Sequence, residues 1–288
     1  PKTQQIAQFK RMLRSLNYKV EELNIGNGLG SEIPEDANAV LILGAQEAFM
    51  AEEIDALNKY REKGGSLLIA LEPEGDPLKG LLEPLKLRFD SKSYLVNEDP
   101  RYLINRSKRN IATNKYSTHP AITQLSRYGK AAVGFFGLGV LEKEEGSTAK
   151  SVIRSPDKTW KDTNGNLKHD SDSEKKKLHD IAVAFSEKGN GEDEQESRVL
   201  VISDSTWLSD TWLPQAKTNQ IAAWDFLKWL IKDPAAGGTS NEEKDVKIIH
   251  SKAGQSWIFY GTVLLLPLFI FVFGWTYVGR RRKKGNAQ

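Results

Sequence analysis

Residues 39–71 read AVLILGAQEAFMAEEIDALNKYREKGGSLLIAL and set the fold class. Ala39-Val40-Leu41-Ile42-Leu43 is a continuous apolar run, the pattern of a strand buried on both faces of a parallel sheet. A helix follows, with Ile54, Leu57 and Tyr60 at spacings of three on its inner face. Gly64-Gly65 stop that helix, because glycine reaches the positive-φ geometry of a helix C-terminus without a Cβ clash. Ser66 to Leu71 then begins a second apolar strand. Strand, helix and strand in this order predict an α/β domain built mainly on a parallel sheet.

Outward from this unit the pattern continues. Upstream, Ile6, Phe9, Leu13 and Leu16 form the stripe of an amphipathic helix over Lys2 to Leu16, and Tyr18 to Leu23 reads as a short strand. Downstream, the stretch 94–109 is rich in Tyr and Arg, and antiparallel strands are expected at Ala131 to Phe136 and Gly139 to Glu142. Arg198-Val199-Leu200-Val201-Ile202 restores the buried-strand signature, and a helix over Thr218 to Ile231 places Ile221, Trp224, Leu227 and Leu230 toward the sheet. Glu142 to Thr148, Gly189 to Ser197 and Pro234 to Asp245 read as solvated insertions, the last as a flexible linker. No internal repeat is present.

The whole chain has 288 residues, 39% of them hydrophobic and 27% charged, enough for one large or two modest domains. Its 41 basic residues nearly balance 38 acidic ones, and five of the cations are Arg280, Arg281, Arg282, Lys283 and Lys284. No general nucleic-acid footprint remains. The absence of Cys excludes disulfides, thiolate zinc sites, iron–sulfur ligation and cysteine nucleophiles.

From Trp257 to Val278 runs a 22-residue stretch without a charged side chain. As a helix it would be about 33 Å long and would cross a bilayer core. Trp257, Tyr260, Trp275 and Tyr277 sit at its ends as aromatic belts do, and the cations after it place the C-terminus in the cytoplasm. The expected organisation is an extracytoplasmic α/β domain over 1–232, a linker over 233–256, a transmembrane helix over 257–278 and a basic cytoplasmic tail over 279–288. The chain opens with Pro1, so an upstream export signal is expected to have been lost.

Several motifs bear on chemistry. Gly26-Asn27-Gly28-Leu29-Gly30 lacks the following helix and the Lys-Ser/Thr of a phosphate loop, and reads as a plain loop. Asp162, Asn164, Asn166 and Asp170 place oxygen-bearing side chains at alternate positions, as a calcium loop does, although Leu167 stands where the turn glycine belongs and an Asn-Gly turn accounts for the same residues. His119, His169, His179 and His250 are scattered without zinc-ligand spacing, and no serine-hydrolase elbow is present. Arg101, Arg106, Lys108 and Arg109, near Tyr94, Tyr102 and Tyr116, read as a solvated face or a surface for an anionic partner. Gln46, Glu72, Asp204 and Ser205 lie just past the carboxyl ends of three expected core strands, the edge where open α/β sheets bind ligands. They are the candidate polar lining of a pocket; strand and turn caps use the same residue types.

Four pieces carry a family resemblance: Ile33-Pro34 through Gly44, Glu53 to Leu71, His119-Pro120-Ala121-Ile122-Thr123, and Val199 to Ser209 followed by Asn219 and Trp229-Leu230. Together they resemble the auxiliary-protein family of gliding-motility-type ABC transport systems. The resemblance implies an exported domain similar to class I glutamine-amidotransferase folds, anchored in the bacterial inner membrane beside an ABC permease and its ATPase, with no catalytic set; no cofactor is expected beyond calcium at the 162–170 loop. Gly261, Thr262 and Gly274 are then the small-residue contacts with permease helices. The expected function is a non-enzymatic auxiliary subunit. The alternative is an extracytoplasmic module binding a sugar, peptide or envelope fragment, and a hydrolase using Glu72 and Asp204 as acid and base stands third.

Overall fold

The two apolar runs of 39–71 form β1 (Val40–Leu43) and β2 (Leu67–Ala70), parallel in the register Val40↔Leu67 to Leu43↔Ala70, with α2 (Ala51–Glu62) between them. A computed structural model describes residues 5–27, 29–30, 32–127, 129, 131–190, 195–233 and 259–285. The chain forms two units, 1–239 and 240–288.

In the first unit β2 is flanked on its other side by β12 (Glu196–Ile202), again parallel, from Val199↔Leu67 to Ile202↔Ala70. β2 and β12 alternate across the sheet. Leu68, Leu200 and Ile202 face a core closed by α1 (Ala7–Ser15) through Phe9 and Leu13 and by α5 (Lys217–Leu230) through Ala222, Phe226 and Leu230. Leu67, Ile69, Val199 and Val201 face the opposite core, closed by Leu57 of α2 and by Leu81 and Leu82 of α3 (Lys79–Leu82). Each such leucine, fully buried, is worth about 1.5–3 kcal/mol relative to exposure.

The parallel part ends there. From β12 the sheet continues through β11 (Asp180–Lys188), β8 (Gly139–Lys143), β3 (Leu87–Val96) and β10 (Trp160–Asp162), all antiparallel, with β9 (Lys150–Arg154) and β6 (Lys115–Tyr116) branching from β11. A second, antiparallel sheet holds β4 (Leu103–Ile104), β5 (Ser107–Thr113) and β7 (Val133–Phe136). The expected mainly parallel, glutamine-amidotransferase-like sheet is therefore corrected to a mixed one in which, among the described residues, only β1, β2 and β12 run parallel. The strands expected at 131–136 and 139–142 form, but in different sheets. Gly137, at φ 89°, lies between them.

Three local features lock the layers. Gly64 sits at φ 97°, and a Cβ there would lie 2.6 Å from the Gln195 carbonyl oxygen, so only glycine lets α2 end against β12. Asn219 of α5, wholly buried, accepts from the Gly134 N–H at 3.0 Å and donates to its carbonyl at 2.9 Å, tying the helix to the second sheet. Asp225 accepts from the Gln124 N–H at 2.7 Å, at the start of α4 (Thr123–Arg127). Tyr18 to Leu23, expected as a strand, joins no ladder.

In the second unit, Gly261–Leu265 form a π-helical turn and Leu266–Gly285 form α6. The expected transmembrane helix over 257–278 is not found. Among the described residues no helix is long and apolar enough to cross a membrane. The helix Leu266–Gly285 follows the π-helical turn Gly261–Leu265 and carries the cations from Arg280 in its last turns. Trp257, Ile258 and the expected linker over 234–256 lie outside the described residues.

Candidate functional site

The chain leaves the sheet at the carboxyl ends of β1, β2 and β12 through three polar turns. Gly44, at φ 64°, donates its N–H to the Ala70 carbonyl at 2.8 Å and turns the chain outward. The loop after β2 comes back against it: Asp76 donates to the Ala45 carbonyl at 2.9 Å, and a Cβ on Gly75 would lie 2.5 Å from that same oxygen. Gln46 stays exposed at the rim and donates to the Gly44 carbonyl at 3.3 Å.

Glu72, Asp204 and Ser205 do come together. The Ser205 hydroxyl donates to the Glu72 carboxylate, and the Thr206 hydroxyl lies 3.2 and 3.3 Å from its two oxygens. Asp204 is wholly buried; one of its oxygens accepts the Phe136 N–H at 2.6 Å and the other the Thr206 N–H at 2.7 Å. Burial pushes the Asp204 carboxyl well above the ordinary carboxylate range, with the Glu72 charge adding to the rise and the backbone N–H bonds opposing it. Hydrogen bonding thus draws all three residues into the wall of the fold. An acid–base pair needs both groups within reach of a substrate, and Asp204 presents no surface.

Around this cluster stand residues the sequence did not single out for it. Tyr94 donates its hydroxyl to Glu74 at 2.8 Å and carries the Arg109 guanidinium 4.0 Å above its ring. Burial, followed by Glu74, lifts the Tyr94 pKa to about 12. Phe136 and Trp212 stack at 3.9 Å with 12° between their planes. Thr206 lay in the same run as Ser205. Tyr94, Glu74 and Arg109 come from separate elements, and no local pattern foretells their meeting.

The calcium-loop candidates are spent on closing their own turn. Asp162, 2% exposed, accepts from the Gly165 and Leu167 N–H groups at 2.8 and 3.0 Å. Asp170 accepts from the Asn164 and Asn166 side-chain amides at 2.6 and 3.2 Å, and Glu174 takes the Thr163 and Asp170 N–H groups at 3.0 Å each. Among the described residues no group of three or more His, Asp or Glu side chains is placed to hold a metal ion. This is the Asn-Gly turn left open by the sequence. Within the second unit, Gly261 opens the π-helical turn, Thr262 follows it, and Gly274 lies in α6.

The family model described as the IFT52 GIFT domain matches residues 2–80, the segment that carries α1, β1, α2 and β2. No curated protein matches the sequence. Among solved structures, the N-terminal domain of mouse IFT52 is similar, with a TM-score of 0.57 and 16% identity over 80% of this chain and 92% of that one. At that identity the likeness is one of fold. These findings overturn the resemblance to the ABC-system auxiliary family, and with it the expected function as an ABC auxiliary subunit or extracytoplasmic ligand-binding module. The expected partners, an ABC permease and its ATPase, fall on the same ground, as do the permease contacts at Gly261, Thr262 and Gly274. The placement in a bacterial inner membrane rested on that family and on a span that the described helices do not supply.

Proposed function

We propose that the domain over 5–233 is a non-enzymatic assembly domain, a structural part of a multi-subunit complex of the intraflagellar transport type that the names of its likenesses indicate. One observation carries the non-catalytic side of this reading. At the strand ends, where an open α/β sheet would expose its reactive groups, Ser205 and Thr206 hold Glu72 and backbone N–H groups hold the buried Asp204. Those polar groups stabilise the junction of β2, β12 and β7 and leave the surrounding surface to act by shape and charge. Such a domain works by being rigid and by presenting edges and loops to neighbours.

The test is reconstitution. The full chain is mixed with purified intraflagellar transport subunits and followed by analytical ultracentrifugation. Stoichiometric co-sedimentation with at least one subunit is expected, unchanged by Glu72→Gln. A chain that sediments alone against every subunit overturns the proposal.

A further inference from the structure

The main sheet ends at β1, whose outer side carries no ladder. β2 takes the inner side: the Val40 N–H donates to the Ser66 carbonyl at 2.9 Å and the Gly44 N–H to the Ala70 carbonyl at 2.8 Å. Extended backbone alternates, so the N–H and C=O groups of Leu41 and Leu43 face the other way, out of the sheet, and among the described residues no group bonds them. Both residues are half-buried rather than exposed. Backbone polar groups seldom stay unpaired where water is partly excluded.

The segment 18–23 lies along this edge. Tyr18 and Val20 pack on the core that Leu41 and Leu43 join, whereas Leu23 packs on the opposite core, with Val40. Those cores occupy the two faces of one sheet, so between Val20 and Leu23 the chain passes around a sheet edge, and β1 is the edge strand that shares both packings. Its direction follows from its first residues. The Lys19 pKa is raised by its bond to Glu21 and also by the charge of Asp36, just ahead of β1. The Tyr18 pKa is raised by burial and then by the charge of Asp233, whose neighbour Lys232 donates to the Gly64 carbonyl at 3.1 Å, just ahead of β2. Residues 18 and 19 thus stand at the amino ends of β1 and β2, and the segment continues from there in the direction of β1.

Its pattern is that of a strand. Tyr18 and Val20 are half-buried while Lys19 and Glu21 are exposed, a period of two. In a parallel pair, aligned residues share a face, and when one of them directs its backbone groups to the neighbour the other directs its own away. Tyr18 and Val20 share the face of Leu41 and Leu43, so the groups directed at β1 are those of Lys19, Glu21 and Leu23. Among the described residues these too are bonded by nothing, whereas the Tyr18 N–H, in the row directed away, is already taken by the Leu13 carbonyl at 3.1 Å. Two rows of unpaired backbone groups therefore stand side by side with matching parity.

We propose that 18–23 is a strap poised to close, which zips onto β1 as a parallel edge strand by pairing Lys19, Glu21 and Leu23 with Leu41 and Leu43. Open, as described above, it is held on the core by its side chains and leaves the β1 backbone available. Closed, it completes the sheet and withdraws that edge from the strands of other chains.

The test uses the full chain, labelled with ²H, ¹³C and ¹⁵N. Closure is expected to appear as scalar couplings across hydrogen bonds from the Leu41 and Leu43 amide nitrogens to carbonyls of the strap, with slow exchange of both amides. Two proline variants separate the rows. Glu21→Pro deletes an N–H directed at β1 and Glu22→Pro one directed away; both side chains are exposed, and each variant loses one exposed ion pair, with Lys19 or with Lys10. Glu21→Pro should speed exchange of the Leu41 and Leu43 amides about tenfold, and Glu22→Pro should leave it near wild type. Unprotected exchange of both amides in the wild type, couplings to carbonyls outside the strap, or equal effects of the two prolines would each overturn the proposal. If neither proline variant folds, the wild-type couplings decide: their presence supports closure and their absence refutes it.

Discussion

Replacing Asp204 by Asn probes the strand-end cluster at its most buried point. In the wild type both carboxyl oxygens accept backbone N–H groups, from Phe136 at 2.6 Å and Thr206 at 2.7 Å, and neither meets water. A carboxamide offers one accepting oxygen and one amino group, so one of the two N–H groups must face another donor. An unsatisfied buried donor costs about 1–3 kcal/mol, and this is the expected loss at pH 5, the acid end of the measurement. The cost should then change with pH in a direction fixed by its pKa. The folded-state value lies above the unfolded one, so Asp204 contributes its full stability at low pH and loses it as pH rises toward the folded value. Asn does not titrate, so its disadvantage should shrink between pH 5 and pH 8. Urea unfolding followed by tryptophan fluorescence at the two pH values measures both quantities, with Trp207 buried three residues away as a reporter. A cost that grows with pH would refute the reasoning, because the N–H groups would then outweigh burial and Glu72 and hold Asp204 ionised.

Three further outcomes are expected. Gly64→Ala should destabilise by about 1–3 kcal/mol through its positive φ, with more from the 2.6 Å approach to Gln195, and a thermal melt will read it. Asn219→Ala leaves both the N–H and the C=O of Gly134 unpaired in the core and should cost about 2–5 kcal/mol by chemical denaturation; near-wild-type stability would show that water enters there. His119 and His179 are both lowered to about 4, chiefly by burial, so the unfolded chain binds more protons than the folded one below pH 6.5. Their contribution is whole above that pH and lost as pH falls toward 4; the double variant His119→Gln/His179→Gln should flatten the stability profile in that window.

The sequence made the parallel part of the fold legible because those strands are buried and continuous: 39–43, 66–71 and 198–202 became β1, β2 and β12. β2 is buried at every position, whereas β1, at the sheet edge, is mostly half-buried. The antiparallel half was harder to see, although Leu87 and Phe89 alternate with exposed Arg88 and half-buried Asp90 along β3 as a period-two strand should. Strand existence is local, but whether β7 joins β5 or β8 is decided by packing elsewhere. Tyr18 to Leu23 shows the converse: the run has strand-like composition, and Tyr18 and Val20 pack on the core, yet no ladder forms. α5 presents Ala222, Phe226 and Trp229 to the core, leaving the expected Ile221 and Trp224 only half-buried. At the site, position past a strand end foretold that Glu72, Asp204 and Ser205 would meet. It could not foretell that they would bond to one another and to the backbone, since that depends on Phe136 arriving from the other sheet.

β2 lies between β1, only 27 residues upstream at Val40↔Leu67, and β12, which reaches it from Val199. During synthesis the apolar strand Leu67–Ala70 therefore emerges with one edge unfilled and stays so until more than a hundred further residues have been made. Closing so long a loop is slow, and an open apolar edge meanwhile invites pairing with other chains. The segment 2–80 thus carries β2 without the β12 strand that pairs with it. Any fragment that stops before Glu196 inherits the vacant edge, and expression of the domain will depend on keeping both ends in one chain.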